Sequence, residues 1–262
     1  MAAVRGHQVD GSGDDSMDIA SDDDDDDDED EDEAINEEAC TISLHNQLFE
    51  KVFDVSKSSI SQVLAYKRIF SPRKATSTAF VTGIVRVSNQ GLVRKSDYLA
   101  VMQNLGFDVK ASLHSHGSFL QRLFDAFDRS NSGCADTAEL ITGLIVLFDG
   151  SKSAKLMFSF ELLDISKRGA LTRSEMWRFF RSFLTTVLLL CNMSLSDKMH
   201  VIVDDAAQWT VDDLVETCNI FDDQSVCMIT FEHFSAYYSE RGFLVCSWLE
   251  LLDLEKMALL AV

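Results

Sequence analysis

The chain has 262 residues, 46% of them hydrophobic, and a formal net charge of −20. Those values exclude a chain disordered throughout, because the apolar content supplies a core, and they exclude an electrostatic nucleic-acid binder. A single proline, Pro72, suits a mostly helical protein, and six cysteines without a CxxC pair read as reduced thiols rather than a disulfide framework.

The charge is local. Residues 1–40 hold eighteen acids and one base, whereas the rest holds 25 acids and 22 bases and is nearly neutral. Within it, "SDDDDDDDEDEDE" (21–33) repels itself and buries no apolar surface, so disorder is expected through residue 40. Such a tail reads as a solubilising segment, as a decoy for basic partners such as histones, or as a loose gatherer of cations, and these readings stay open. The opening "MAAVRG" has no glycine at position 2 for myristoylation, and no apolar run reaches spanning length, so no stable membrane anchor is expected. A cytoplasmic setting is expected, with a cilium, flagellum or nucleus as narrower options.

From residue 41 the pattern becomes helical. Ile42, Leu48, Phe49, Val52 and Phe53 share one stripe; Ile60, Val63, Leu64 and Phe70 predict a second helix over 59–70; "SPRK" (71–74) is a break. Beyond it one unit recurs four times: amphipathic helix, polar loop of twelve positions, amphipathic helix. The first copy runs 86–97, with Gly91 at position 6, Val93 at 8 and Asp97 at 12. Arg86 and Arg94 stand at positions 1 and 9, so this loop is not expected to hold a cation.

The second copy, "DRSNSGCADTAE" (128–139), is the most complete. Asp128 is position 1, Ser130 is 3, Ser132 is 5, Gly133 is 6, Cys134 is 7, Asp136 is 9 and Glu139 is 12. A calcium ion takes about six to eight oxygens at roughly 2.3–2.6 Å. Alternate side chains aim inward at 1, 3 and 5, and a sharp reversal needs a positive φ, hence glycine, at 6. Position 7 gives only its carbonyl, 9 acts through water, and a glutamate at 12 closes the sphere with both oxygens. Leu120, Leu123, Phe124 and Phe127 lead into the loop on one face, and Leu140, Leu144, Leu147 and Phe148 lead out. With three carboxylates and a poor bridge residue, Ala135, at position 8, micromolar or weaker affinity is expected.

The third copy starts at Asp164, with Ser166 at 3, Gly169 at 6, Leu171 at 8, Thr172 at 9 and Glu175 at 12. Arg168 stands at position 5, where a guanidinium offers no acceptor, so Asp164, Ser166, Thr172 and Glu175 form a weaker candidate set. The fourth copy places Asp222 at 1, Val226 at 5, Cys227 at 6, Ile229 at 8 and His233 at 12, and the closing carboxylate is lost. The copies are expected to pair, first with second and third with fourth, through their position-8 residues: Val93 with Ala135, and Leu171 with Ile229.

Residues 79–240 resemble the EF-hand superfamily, most nearly its two-lobed neuronal calcium sensor, calcineurin B-like and calaxin-type branch. The resemblance implies an all-α protein of EF-hand pairs, four helix–loop–helix units of which three are degenerate, in two lobes behind an acidic tail. Its segments are a tail at 1–40, a lobe at 41–150 and a lobe at 151–262 with a C-terminal helix. It implies Ca²⁺ at one site, with ligands Asp128, Ser130, Ser132, Cys134, Asp136 and Glu139, no catalysis, and capture of an amphipathic target helix. In calaxin-like members it implies flagellar dynein regulation. Arg168, the acidic tail and the long gap over 176–221 depart from that branch.

The last segment, 242–262, is apolar and is expected either to fill the protein's own groove or to cap the second lobe. No phosphate-binding glycine loop, GxSxG or HExxH occurs, and His114 and His116 are expected in a loop without catalytic partners. Two functions follow: a calcium-responsive adaptor acting on a partner protein, or a constitutive EF-hand subunit of a cytoskeletal or ciliary assembly. A third, weaker idea is a chaperone of basic proteins acting through the tail.

Overall fold

The computed structural model describes residues 74–107, 109, 116–147, 150–190, 195–220, 227–246 and 248–249. The acidic segment 1–40, the helices expected at 42–53 and 59–70, loop residues 221–226 and residues 250–262 lie outside the described residues.

The first half comprises α1 (Lys74–Val87), β1 (Leu92–Arg94), α2 (Lys95–Asn104), α3 (His116–Phe127), β2 (Cys134–Asp136) and α4 (Thr137–Leu144), which tightens into a 3₁₀ turn over Ile145–Leu147. The second comprises α5 (Lys152–Leu163), β3 (Ala170–Thr172), α6 (Arg173–Leu190), α7 (Asp197–Thr217), β4 (Met228–Thr230), α8 (Phe231–Tyr237), a π turn (Tyr238–Gly242) and the short α9 (Phe243–Val245). The protein is therefore all-α apart from two miniature sheets. His116 opens α3 rather than lying in a loop. The long gap before the fourth loop is filled by α6 and α7, of 18 and 21 residues.

Local chemistry sets the helix starts. Ser151 accepts from the Ala154 amide at 3.3 Å and Ser196 from the Met199 amide at 3.4 Å, capping α5 and α7. At α8 the Thr230 hydroxyl accepts from the His233 amide (3.1 Å) while His233 Nδ1 accepts from the Thr230 amide (3.3 Å). His233 thus completes a capping box with histidine where glutamate or glutamine is usual. A side chain at loop position 12 has become a helix-starting device.

The loops pair as the position-8 residues require. β1 and β2 run antiparallel with Val93 opposite Ala135, and β3 and β4 with Leu171 opposite Ile229. All four side chains are buried. Ala135 joins its ladder despite its poor strand propensity, because the register is held by neighbours on both sides: Leu92 faces Asp136 and Arg94 faces Cys134. Each pair of loops so joined lets two helix pairs close over one apolar interior.

The first loop is shorter than twelve residues. α1 continues through Val87, so Arg86 at nominal position 1 is helical. Asn89 and Leu92 exchange both backbone hydrogen bonds, at 2.8 and 3.0 Å, around Gln90 and Gly91, whose φ values are +52° and +78°. Two positive φ values in a two-residue connection mark a type I′ hairpin turn. The arginines at positions 1 and 9 argue against a cation there, and the backbone has removed the cradle as well.

The apolar stripes expected around the second loop are buried: Leu120, Leu123, Phe124 and Phe127 on α3, and Leu140, Leu144 and Leu147 beyond it, while Phe148 lies outside the described residues. The centre of the molecule is α6. From Phe179 to Leu190 every residue but Arg181 is buried, including Ser182, Thr185 and Thr186. It packs most extensively on α7 and on α4 of the first half. The α4 contact is close because residue 143 is glycine. A Cβ there would lie 2.4 Å from Thr186 Oγ1, 2.6 Å from Phe127 Cζ and 3.0 Å from the Ser182 carbonyl oxygen.

In the second half, Phe179 and Phe180 of α6 meet Phe234 of α8, and Trp248 seals the cluster. Its ring stands edge-on to Phe180 at 5.6 Å and stacks on Phe183 at 5.6 Å. Cys246, Trp248 and Leu249 have no exposed surface. The start of the C-terminal segment therefore belongs to the core of this half. The π turn before it is tied down by Asp213, which accepts from Tyr237 Oη (2.6 Å) and pairs with Arg241 (2.8 Å).

Candidate metal centre

The second and third loops share one backbone frame. Asn131 and Lys167, both at position 4, take φ of +52° and +54°, and Gly133 and Gly169 at position 6 take +78° and +73°. Asp128 accepts from the Ser132 amide at 2.9 Å and the Gly133 amide at 2.7 Å. Asp164 does the same with Arg168 at 2.9 Å and Gly169 at 2.7 Å. In each loop the first carboxylate folds the chain back over itself before any metal is considered.

In the second loop the side chains at 1, 3 and 5 and the carbonyl at 7 gather. Ser132 Oγ lies 3.0 Å from Asp128 Oδ1 and 3.2 Å from the Cys134 carbonyl oxygen, and Ser130 Oγ lies 3.4 Å from Asp128 Oδ1. Burial acts most strongly on Asp128 and alone would raise its pKa. The Ser132 amide and hydroxyl, the Gly133 amide and the Ser130 hydroxyl together outweigh it, and the carboxyl sits below its ordinary value. Asp128 is thus an ionised oxygen donor at neutral pH.

The remaining two positions are engaged elsewhere. Asp136 Oδ1 caps α4 by accepting from the Glu139 amide at 2.9 Å, and it also meets Arg178 Nη2 at 2.6 Å. Glu139 is gripped from both sides: Arg178 Nε donates to Oε1 at 2.8 Å and Arg181 Nη2 to Oε2 at 2.8 Å. Both arginines come from α6. Arg181 lies over the Trp177 ring at 4.8 Å, and Trp177 Nε1 donates to the Asp204 carbonyl on α7 at 3.2 Å. Arg129, at loop position 2, pairs with the Asp204 carboxylate at 2.5 Å. The whole loop is seated against α6 and α7. Among the described residues, no three histidine, cysteine or acidic side chains converge closely enough to hold a metal. The oxygens at 1, 3, 5 and 7 fit a hard cation; those at 9 and 12 are engaged by Arg178 and Arg181.

The third loop carries its own cation. Arg168 Nη2 reaches across to Glu175 Oε2 at 2.9 Å. The same oxygen accepts from the Thr172 amide (2.8 Å) and hydroxyl (3.0 Å), and the Glu175 amide donates to Thr172 Oγ1 at 3.2 Å. Thr172 and Glu175 thereby form a capping box at the start of α6. Backbone donation from Arg168, then Gly169, with the positive charges of Lys167 and Arg168, lowers the Asp164 pKa against the effect of burial. Ser166 is exposed. Removing the guanidinium tests this account: Arg168→Asn should raise the calorimetric calcium stoichiometry by one over the parent chain. An unchanged stoichiometry would show that the capping box, and not the arginine, closes the loop to metal.

For the fourth loop, positions 1 and 5 (Asp222 and Val226) lie outside the described residues, and position 12 is the capping His233. Arg178 and Arg181 are the site residues that loop spacing does not reveal. The available signal is "WRFFRSF" (177–183): two arginines three apart on a helix otherwise destined for burial need acidic partners.

No family model matches the chain. Among curated proteins it is similar to human calaxin, 32% identical over 65 residues that make up 25% of this chain and 31% of calaxin. It is similar to the calcineurin B protein of Candida glabrata, 42% identical over 57 residues, 21% of this chain and 33% of that protein. It is similar to calcium-binding protein NCSA of Dictyostelium discoideum, 30% identical over 101 residues, 38% of this chain and 50% of NCSA. The matched regions thus span about a third to a half of the length of these relatives.

Proposed function

We propose that the chain is a non-enzymatic EF-hand regulator similar to the neuronal calcium sensors, calcineurin B and calaxin, that it senses calcium through the loop at 128–139 and that it acts on a partner protein. The observation that carries this reading is the gathering of Asp128, Ser130, Ser132 and the Cys134 carbonyl into one oxygen-lined turn. Asp136 and Glu139 would complete the set, with one Ca²⁺ neutralising their charge. The ion supplies only charge and a demand for oxygens; the response lies in which helices the glutamate then holds.

The partner surface is apolar, suited to an amphipathic helix. In the second half, Trp248 packs on Phe180 and Phe183 of α6 and Leu249 next to it in the chain is buried, so helix capture there begins with their displacement. Among the described residues, Cys134, Cys218 and Cys246 are thiols outside any disulfide, which suits a reducing, cytoplasmic setting, with a cytoskeletal or ciliary partner as the narrower reading. No helix among the described residues is long and apolar enough to cross a membrane.

One observation favours the alternative, a constitutive EF-hand subunit. Arginines neutralise the position-12 glutamates of both intact loop frames, so those carboxylates have counter-charges within the fold itself. Calcium titration calorimetry on the parent chain and on Asp128→Asn separates the two. Binding that is lost in the variant, with a calcium-dependent rise in fluorescence of an apolar dye on the parent chain, supports the sensor. No binding by either leaves the constitutive subunit.

A further inference from the structure

The closing glutamate of the second loop is held by the other half of the molecule. Each of its carboxylate oxygens receives a guanidinium N–H from α6, from Arg178 on one side and Arg181 on the other, both at 2.8 Å. The three side chains are largely enclosed, with exposures of 8% for Glu139, 19% for Arg178 and 14% for Arg181. Asp136, at position 9, is drawn to Arg178 as well. Arg129, at position 2, is fastened to Asp204 on α7. One loop therefore contributes three charged positions to contacts with the second half, and two of them are the positions a cation in that loop would require.

A carboxylate can accept several bonds, but a dication and two guanidiniums around one small anion repel one another strongly in an enclosed setting. The glutamate must choose. We propose that calcium and the Arg178–Arg181 pair compete for Glu139, so that calcium entering the second loop releases the arginine end of α6 from the first half; this rests on the reading that the loop binds calcium. The device joins a metal site in one half to a helix of the other through a single side chain.

The geometry also states what moves and what stays. One turn beyond Glu139 on α4 lies Gly143, pressed against Ser182 and Thr186, which lie one and two turns beyond Arg178 on α6. That contact involves no loop ligand and does not depend on Glu139, so release is confined to the segment carrying Trp177, Arg178 and Arg181. Trp177 reports it directly, because Arg181 lies on its ring and its Nε1–H is bonded to the Asp204 carbonyl. Freed of Glu139, Arg178 and Arg181 turn toward solvent or toward an acidic group of a partner. The partner surface made available on calcium binding is then basic at this edge, in a chain whose net charge is acidic.

The test uses the full chain with Arg178 and Arg181 both replaced by glutamine, Ca²⁺ as the probe, and the Trp177 indole N–H followed by NMR. Removing two charge-assisted bonds that oppose metal binding should tighten calcium affinity at least about tenfold. In the parent chain, calcium should shift the Trp177 resonance, and Asp128→Asn should abolish that shift. The single variants Arg178→Lys and Arg181→Lys keep the charge but lose the fork, and should move affinity the same way by less. They serve if the double variant fails to fold. Equal or weaker affinity in the arginine variants overturns the competition while leaving the calcium reading intact. Absence of calcium binding in parent and variants alike overturns the calcium reading, and the competition with it. A double-mutant cycle between Glu139→Gln and Arg181→Gln in calcium-free protein measures the clasp without metal, and additive effects there also overturn it.

Discussion

Glu139→Gln is expected to lower calcium affinity by at least about a hundredfold, since an amide cannot supply the bidentate anionic closure at position 12. It should also destabilise the calcium-free protein, which a purely ligand role would not predict. The substitution leaves Arg178 and Arg181 facing a neutral group in a largely enclosed space. Breaking one side of a buried ion pair costs several kcal/mol, and because glutamine still accepts one hydrogen bond, on the order of 2–4 kcal/mol is expected. For a domain of this size that is a fall of roughly 5–15 °C in Tm. Thermal unfolding in chelator reads this effect apart from metal. If Tm is unchanged there, Glu139 serves calcium alone and the arginine clasp has no energetic weight.

The second large effect lies at Gly143. An alanine in a helix interior is ordinarily preferred over glycine by about 1 kcal/mol. Here the sign should reverse. The new methyl would meet Thr186 Oγ1 at 2.4 Å, Phe127 Cζ at 2.6 Å and the Ser182 carbonyl at 3.0 Å, and the last is backbone that cannot turn aside. Overpacking of this kind costs about 1–3 kcal/mol beyond the propensity gained, and Gly143→Val should cost more. Gly83 is the comparison. Its added Cβ would meet Val101 Cγ1 at 2.8 Å, a side-chain atom rather than backbone, so Gly83→Ala should cost less than Gly143→Ala. Chemical denaturation of both alanine variants decides the point, and equal midpoints would mean that α4 and α6 do not depend on the close approach at Gly143.

Much of the architecture follows from local pattern. The pairing of Val93 with Ala135 and of Leu171 with Ile229 was legible from loop numbering alone, because each position-8 residue stands four positions before the end of its loop, just ahead of the exit helix. The stripes of Leu120, Leu123, Phe124 and Phe127 and of Leu140, Leu144 and Leu147 were legible from helical periodicity, and each is buried. The turn at Gln90–Gly91 was only half legible. The arginines at positions 1 and 9 told against a cation, but the continuation of α1 through Val87 and the hairpin turn depend on packing that loop spacing does not encode.

By itself the sequence determined the helix–loop–helix repeat, the pairing of its loops and the oxygen donors available at 128–139, because turn chemistry and apolar periodicity act over a dozen residues or fewer. Only the tertiary structure decided what those donors do. Glu139 lies 39 and 42 positions from Arg178 and Arg181, and Arg129 lies 75 from Asp204. Charges so far apart along the chain meet only when α4, α6 and α7 pack, and burial then makes their pairing obligatory.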